Sequence, residues 1–227
     1  MKTPRLTTLR SAAAVVAAVF AAVSGAPAAD LVDCLAAVVN GQPVTLVDVR
    51  VADAFGIYRE EEASAPVDRL FRVLERIVDQ KTVIQFAGAS IVLPESEIQA
   101  ALRDLLDRLG PAAVQERLAG FGLDLDDVLN ALKESLVFRR IIELRFSRSV
   151  TVSLQEMEDY YERVYVAGRI REGLQTEPMI ALLQEIEARI RRDKIDAQAA
   201  LWIRGLRRQA EIEYRYDWLR MIPREKE

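Results

Sequence analysis

The sequence predicts a mostly α domain of several helices, closed by a small sheet that joins an extended segment near its start to another near its end. Three observations predict it. Apolar residues recur at intervals of three and four through most of the chain, the period of a helix with one buried face. Two places break that period. Val38-Val39 runs into Asn40-Gly41, a pair that tolerates positive φ and favours a tight hairpin. Near the other end, Ile212, Tyr214 and Tyr216 alternate with Glu213, Arg215 and Asp217, the period of a strand with one apolar face. A lone short strand is not stable in water, so each segment needs a partner and the other is the best candidate. Pairing them makes the intervening helices one closed body.

The return strand of the hairpin is at most Gln42 to Val44, with Pro43 suited to an edge because it has no N–H to donate. Thr45 and Asp48 have the spacing of an N-cap and its N3 partner, which opens a helix from about Leu46 to Tyr58. Arg59 to Pro66 is a charged loop. Val67 to Phe86 is a second helix with the stripe Leu70, Phe71, Leu74, Ile77, Val78 and Ile84, ended by Gly88. After an extended connector, Ile91 to Pro94, Ser96 and Gln99 form a capping-box pair for a helix from Glu97 to about Leu109. Gly110-Pro111 breaks it, a short helix covers Ala112 to Ala119, and Gly120-Phe121-Gly122 turns.

Asp124 and Asp127 cap a helix to about Phe146, with Leu125, Val128, Leu132, Leu136, Ile141 and Ile142 on its stripe. Val150 to Val152 is extended. Ser153 and Glu156 open a helix through Met157, Tyr160, Tyr161, Val164 and Tyr165. Gly168 to Gln175 is a break. Thr176 then caps a long amphipathic helix with Pro178 in its first turn and Leu183, Ile186, Ile190, Ile195, Ala199, Trp202 and Leu206 on one side. The organisation expected is a signal peptide over 1–28, a helical domain over 29–165, a long helix and strand over 166–218 that complete the same domain, and a frayed charged tail over 219–227.

The start of the chain has the features of a secretory signal. Lys2, Arg5 and Arg10 precede a small, apolar run of 13 residues, Ser11 to Val23. That run is short of the roughly 20 residues a membrane span needs. Ala26-Pro27-Ala28 supplies small residues for cleavage after Ala28, with Ala29 as the alternative. The expected location is therefore periplasmic or otherwise exported, with no stable membrane insertion after cleavage. Cys34 follows Leu31-Val32-Asp33, and Asp33 stands where a lipobox needs a small residue. The single cysteine reads as a small buried apolar side chain.

Composition excludes several chemistries. Hydrophobic residues at 51% and charged ones at 29% describe a globular chain rather than a disordered one. Without residues 1–28 the chain carries 28 basic and 35 acidic residues, a net charge of −7, which suits neither nucleic acid nor an anionic membrane. Histidine is absent, which removes Ser-His-Asp and Cys-His nucleophile systems and most zinc sites. There is no phosphate-binding loop. Glu60-Glu61-Glu62 and Asp124, Asp126, Asp127 read as ligands for a divalent cation, or more simply as a solvated loop and a helix start favoured by the macrodipole. Neither has calcium-loop spacing. Arg139-Arg140 and Arg207-Arg208 read as solvated helix faces. No cofactor and no metal is expected.

The order strand, Asn-Gly turn, helix over Val38 to Val51 resembles the start of the mature SurA-type periplasmic chaperones. Arg76-Ile77-Val78-Asp79-Gln80-Lys81-Thr82-Val83-Ile84 is similar to a run in their second helix. Val150 to Ser153 with Tyr160-Tyr161, and Ala200 to Ile212, are similar to their later elements. The resemblance spans about residues 36–165 and 177–216. It implies a helical chaperone that binds unfolded envelope proteins without ATP, and one departure limits it. Isomerase-active members carry parvulin domains between the two parts, where this chain has only Val166 to Thr176, and the parvulin centre contains histidine. No prolyl isomerase activity is expected, and no other enzymatic one.

Such a chaperone needs a concave apolar surface rather than a reactive side chain. The candidate peptide-binding residues are Phe86, Phe121, Phe138, Tyr160, Tyr161, Tyr165 and Met179. Phe71 and Trp202 sit on clear stripes and read as structural. The expected partners are unfolded polypeptides and, in a homodimer, a second copy. The rival readings are an envelope assembly module with one fixed partner and an enzyme, either a prolyl isomerase through an unrecognised site or a carboxylate-based hydrolase.

Overall fold

The computed structural model describes residues 34–58, 66–88 and 91–221; the expected signal peptide, the Glu60-Glu61-Glu62 run and the end of the expected tail lie outside the described residues. Strands β1 (Leu35–Val39) and β2 (Gln42–Thr45) form the hairpin. Asn40 at φ 46° and Gly41 at φ 79° both occupy the left-handed region that a two-residue turn of the type favoured in hairpins demands. β3 (Ile212–Tyr214) pairs antiparallel with the other side of β1, Val39 opposite Ile212 and Ala37 opposite Tyr214, in the order β2-β1-β3. The two ends of the folded chain therefore meet, with β1 between them and Ala36, Ala37 and Val39 fully buried. Pro43 sits on β2, an edge strand, where its missing N–H costs no ladder bond.

Helix α1 (Leu46–Ala54) starts on the Thr45–Asp48 capping box. It ends four residues earlier than the apolar pattern suggests. Phe55 leaves the helix, and Gly56 at φ 57° turns the chain where a Cβ would lie 2.6 Å from the Arg108 guanidinium. Arg108 donates to the Phe55 carbonyl at 3.2 Å and Arg117 to that of Ala54, so two cations close the negative end of α1.

Helix α2 (Pro66–Ala87) is the spine of the fold. Its first half packs with the sheet and α1, through Leu70, Val73, Leu74, Ile77 and Val78. Its last turns reach a separate cluster, in which Val83 meets Ile141 and Ile142 of α5 (Leu125–Phe146) and Ala199, Ile203 and Leu206 of α8 (Met179–Arg207). A third cluster joins Val51 and Phe55 to Leu105 of α3 (Glu95–Leu109), Val114 of α4 (Pro111–Phe121) and Val128 and Leu132 of α5. The three clusters together make one helical body around α2, closed by the sheet.

Two helix starts differ from the sequence reading for one reason: a proline sets them. α3 begins at Glu95 with Pro94 as its N-cap, and the Pro94 carbonyl accepts from Glu97 N at 3.0 Å. Ser96 is then already inside the helix and forms no cap. Pro178, with φ −64° and ψ 141°, plays the same part for α8, so Thr176 is not its cap. Gly168 does not break its helix. α6 (Leu154–Tyr160), opened by the Ser153–Glu156 capping box, continues through a π-helical stretch (Tyr161–Val166) into α7 (Ala167–Arg171). The tail also begins later than its charge implies. β3 stops at Tyr214, and Asp217–Met221 forms a 3₁₀ turn that carries Trp218, fully buried, into the sheet cluster against Phe71 at 5.0 Å between ring centroids. Two of the arginines read as solvated are also engaged: Arg140 pairs with Glu97 at 2.7 Å, and Arg207 with Asp79 at 2.7 Å and Glu75 at 2.8 Å.

Candidate functional site

The rod formed by α6, the π-helical stretch and α7 folds back through residues 172–178 onto the first half of α8. Between residues 151 and 198 only Ile186 is buried, and no residue from 151 to 194 belongs to any of the three core clusters. Polar contacts tie the two halves of this arm together. Glu156, capped by Ser153, meets Lys194 Nζ at 2.5 Å, and this pair with the Ser153 hydrogen bonds holds its carboxyl down to about 2. Lys194 also donates to Thr151 O at 2.8 Å and Arg191 to Val150 O at 2.8 Å. At the far end, the Tyr161 hydroxyl donates to Glu177 O at 2.7 Å, and Glu177 N donates to the Tyr165 hydroxyl at 3.2 Å. The two rings stack 5.5 Å apart. The loop before α8 is thus gripped by both polar groups of one peptide residue.

The arm leaves apolar side chains in solvent. Leu154 is 59% exposed, Val164 50%, Ile170 69%, Leu174 47% and Ile180 79%. Tyr160 and Tyr165 join Leu182, Ile186, Arg189 and Arg192 around a groove of about 290 Å³ between α6 and α8. Where α8 rejoins the body there is an aromatic ledge. Phe86, 63% exposed, lies edge-on to Trp202 at 6.1 Å; Phe146 meets it edge-on at 5.7 Å, and the Arg145 guanidinium sits 4.4 Å from the Trp202 ring.

The seven predicted binding residues therefore fall in three places. Tyr160, Tyr161, Tyr165 and Met179 are half-buried on the arm, and Tyr161 and Tyr165 are committed to holding its loop. Phe86 and Phe138 belong to the α2–α5–α8 region, Phe86 open and Phe138 packed on the cluster. Phe121 packs in the α1–α3–α4–α5 cluster, away from both. The exposed aliphatics Val164, Ile170, Leu174 and Ile180 were not picked out. They fall at no regular interval, and only the thinness of the arm reveals them.

The Asp79-Gln80-Lys81 run is a hub. Successive helical residues point about 100° apart, so Asp79 faces Arg207 of α8, while Gln80, only 2% exposed, accepts from the Tyr58 hydroxyl at 2.8 Å and donates to Glu134 of α5 at 3.2 Å. Lys81 pairs with Glu134 at 3.6 Å. Burial and the neighbouring carboxylates Glu134 and Asp48 push the Tyr58 phenol well above its ordinary value, so it stays a donor. Among the described residues no three Cys, Asp or Glu side chains are placed to hold a metal ion, and no helix is long and apolar enough to cross a membrane. No protein-family model matches the chain, and no curated protein matches it.

Proposed function

We propose that this protein is an exported, ATP-independent chaperone of the SurA type, which holds unfolded envelope polypeptides on its arm and aromatic ledge and performs no isomerase step. The observation that carries the reading is the arm itself: 48 residues with one buried side chain and five large aliphatics open to water. Ordinary folded surfaces show such side chains singly; this segment carries five of them, and its residues 151–194 supply none of the three core clusters. Each apolar side chain buried by a client contributes roughly 1.5–3 kcal/mol. Three or four of them, offset by the cost of ordering an unfolded chain, give binding of about micromolar strength that reverses without an energy source.

The test is suppression of aggregation of a denatured outer-membrane protein diluted from urea. The full chain at a few-fold molar excess suppresses aggregation, and Ile170→Glu with Ile180→Glu removes most of the effect while the circular dichroism spectrum is unchanged. No suppression at molar excess rejects the reading.

A further inference from the structure

We propose that a cleft in the helical body, separate from the arm, takes the lysine or arginine side chain of an extended peptide. The proposal rests on the chaperone reading and deepens it by giving the client a preferred chemistry. The cleft has a volume of about 300 Å³ and lies where α1, the turn after it, α2 and the start of α5 converge. That is the lower end of ligand cavities, about 300–1,000 Å³, a size for one or two side chains.

Its walls divide by chemistry. Val47, Val51, Ile57, Ile77, Leu123 and Ala131 make an aliphatic side suited to the methylene stem of a long side chain or to an apolar neighbour. Asp48, Asp127 and Glu134 place three carboxylates around it against one lining cation, Lys81, already 3.6 Å from Glu134. Asp48 and Asp127 each use Oδ2 in a capping box, to Thr45 N and Asp124 N. Neither Oδ1 has a hydrogen-bond partner among the described residues, so each keeps an oxygen for a cation. Arg76, one turn back on α2, acts on Tyr58 but does not line the cleft.

Two amides complete the site. Gln80, almost fully buried in the floor, uses one Nε2 proton on Glu134 and has a second to donate. Asn130, exposed at the rim, makes no side-chain hydrogen bond among the described residues and offers the donor–acceptor pair that an extended main chain requires. An excess of negative charge, an aliphatic wall, the remaining Gln80 N–H and the Asn130 amide fit a peptide carrying a basic residue between aliphatic ones. A metal ion does not use that wall, and the carboxylates are not grouped to chelate one.

The experiment titrates the ¹⁵N-labelled full chain with the capped peptide Ala-Val-Lys-Val-Ala and with versions in which norleucine or glutamate replaces the lysine. The lysine peptide is expected to shift the amide resonances of Tyr58, Gln80, Asn130 and Ala131 and to bind at least about fivefold more tightly than the norleucine peptide, as an opposite-charge contact implies. Asn130→Lys, at an exposed helical position that tolerates it, is expected to abolish the shifts; Glu134→Gln, which keeps the hydrogen-bonding shape, weakens them severalfold. Equal binding of the norleucine peptide, undiminished binding to Asn130→Lys, or shifts that map elsewhere overturn the proposal. A flat titration with aggregation suppression intact rejects the cleft and leaves the arm standing. An intact titration without suppression keeps the cleft and rejects the arm.

Discussion

Asn40 and Gln85 are bonded side chain to side chain across 45 residues: Asn40 Nδ2 donates to Gln85 Oε1 at 2.6 Å, and Gln85 Nε2 donates to Val39 O at 3.0 Å. Asn40 Oδ1 also accepts from Glu211 N at 2.8 Å. The turn residue is therefore a strut between the hairpin, α2 and the approach to β3. Asn40→Gly keeps the left-handed φ and removes the strut, so it is expected to cost about 1 kcal/mol, as exposed hydrogen bonds do. Asn40→Ala adds the strain of a positive φ, about another 1 kcal/mol. Urea midpoints give both numbers; a glycine variant as stable as the parent removes the strut from the account.

Arg207 ties α8 to α2 and, through the Tyr214 hydroxyl, to β3. Burial pushes the Asp79 carboxyl above its ordinary value, and its bond to Arg207 pulls the other way. Arg207→Met leaves a partly buried carboxylate without its cation, at an expected cost of about 2–3 kcal/mol. A carboxyl whose folded pKa is raised favours the folded state in its protonated form. Stability of this variant should then fall as pH rises from the ordinary carboxyl range through the raised value. Asp79→Asn in the same background should recover part of the loss and flatten that dependence. A penalty equal at pH 4 and pH 7 contradicts this.

Glu156 carries the opposite sign. Its carboxyl is held at about 2, below an ordinary 4.5, by Lys194 and Ser153. Its contribution is present above pH 4.5 and is lost as pH falls toward 2. Amide exchange across 154–171 is expected to quicken over that window before exchange in β1 does, and Glu156→Gln should remove the window. Simultaneous loss of protection in arm and sheet speaks against an arm held by this contact.

Among the described residues Trp218 is the largest fully buried side chain. Its indole N–H has no hydrogen-bond partner among the described residues. Trp218→Ala should cost about 3–5 kcal/mol as a large-to-small core change. Trp218→Phe should cost much less, because no hydrogen bond is lost with the indole. Thermal unfolding of the two variants compares them directly; similar losses would point to a polar role for the indole.

Much of the fold was legible because its signals are local. Asn40-Gly41 fits a turn that few other pairs fit, and the boxes Thr45–Asp48, Asp124–Asp127 and Ser153–Glu156 each bond as spaced. The alternation of Ile212 and Tyr214 found its partner in β1 because that strand had none on its second side. What was not legible depends on distant neighbours. Trp218 sits in a charged stretch with no period to mark it, and only the sheet gives it somewhere to go. Gly168 looks like a breaker, yet the rod runs through it from the π-helical stretch into α7. The cleft around Gln80 draws on four segments, and its polar residues look like ordinary helix surface when read singly.

The central claim is that unfolded chains lie along the arm. A photo-crosslinking residue placed singly at positions 170, 180, 86 and, as a control on the sheet, 213 tests it with a denatured outer-membrane protein as client. The account predicts strong crosslinks from 170 and 180, crosslinks from 86, and none above background from 213. Crosslinking spread evenly over all four positions, or confined to the sheet, would contradict it.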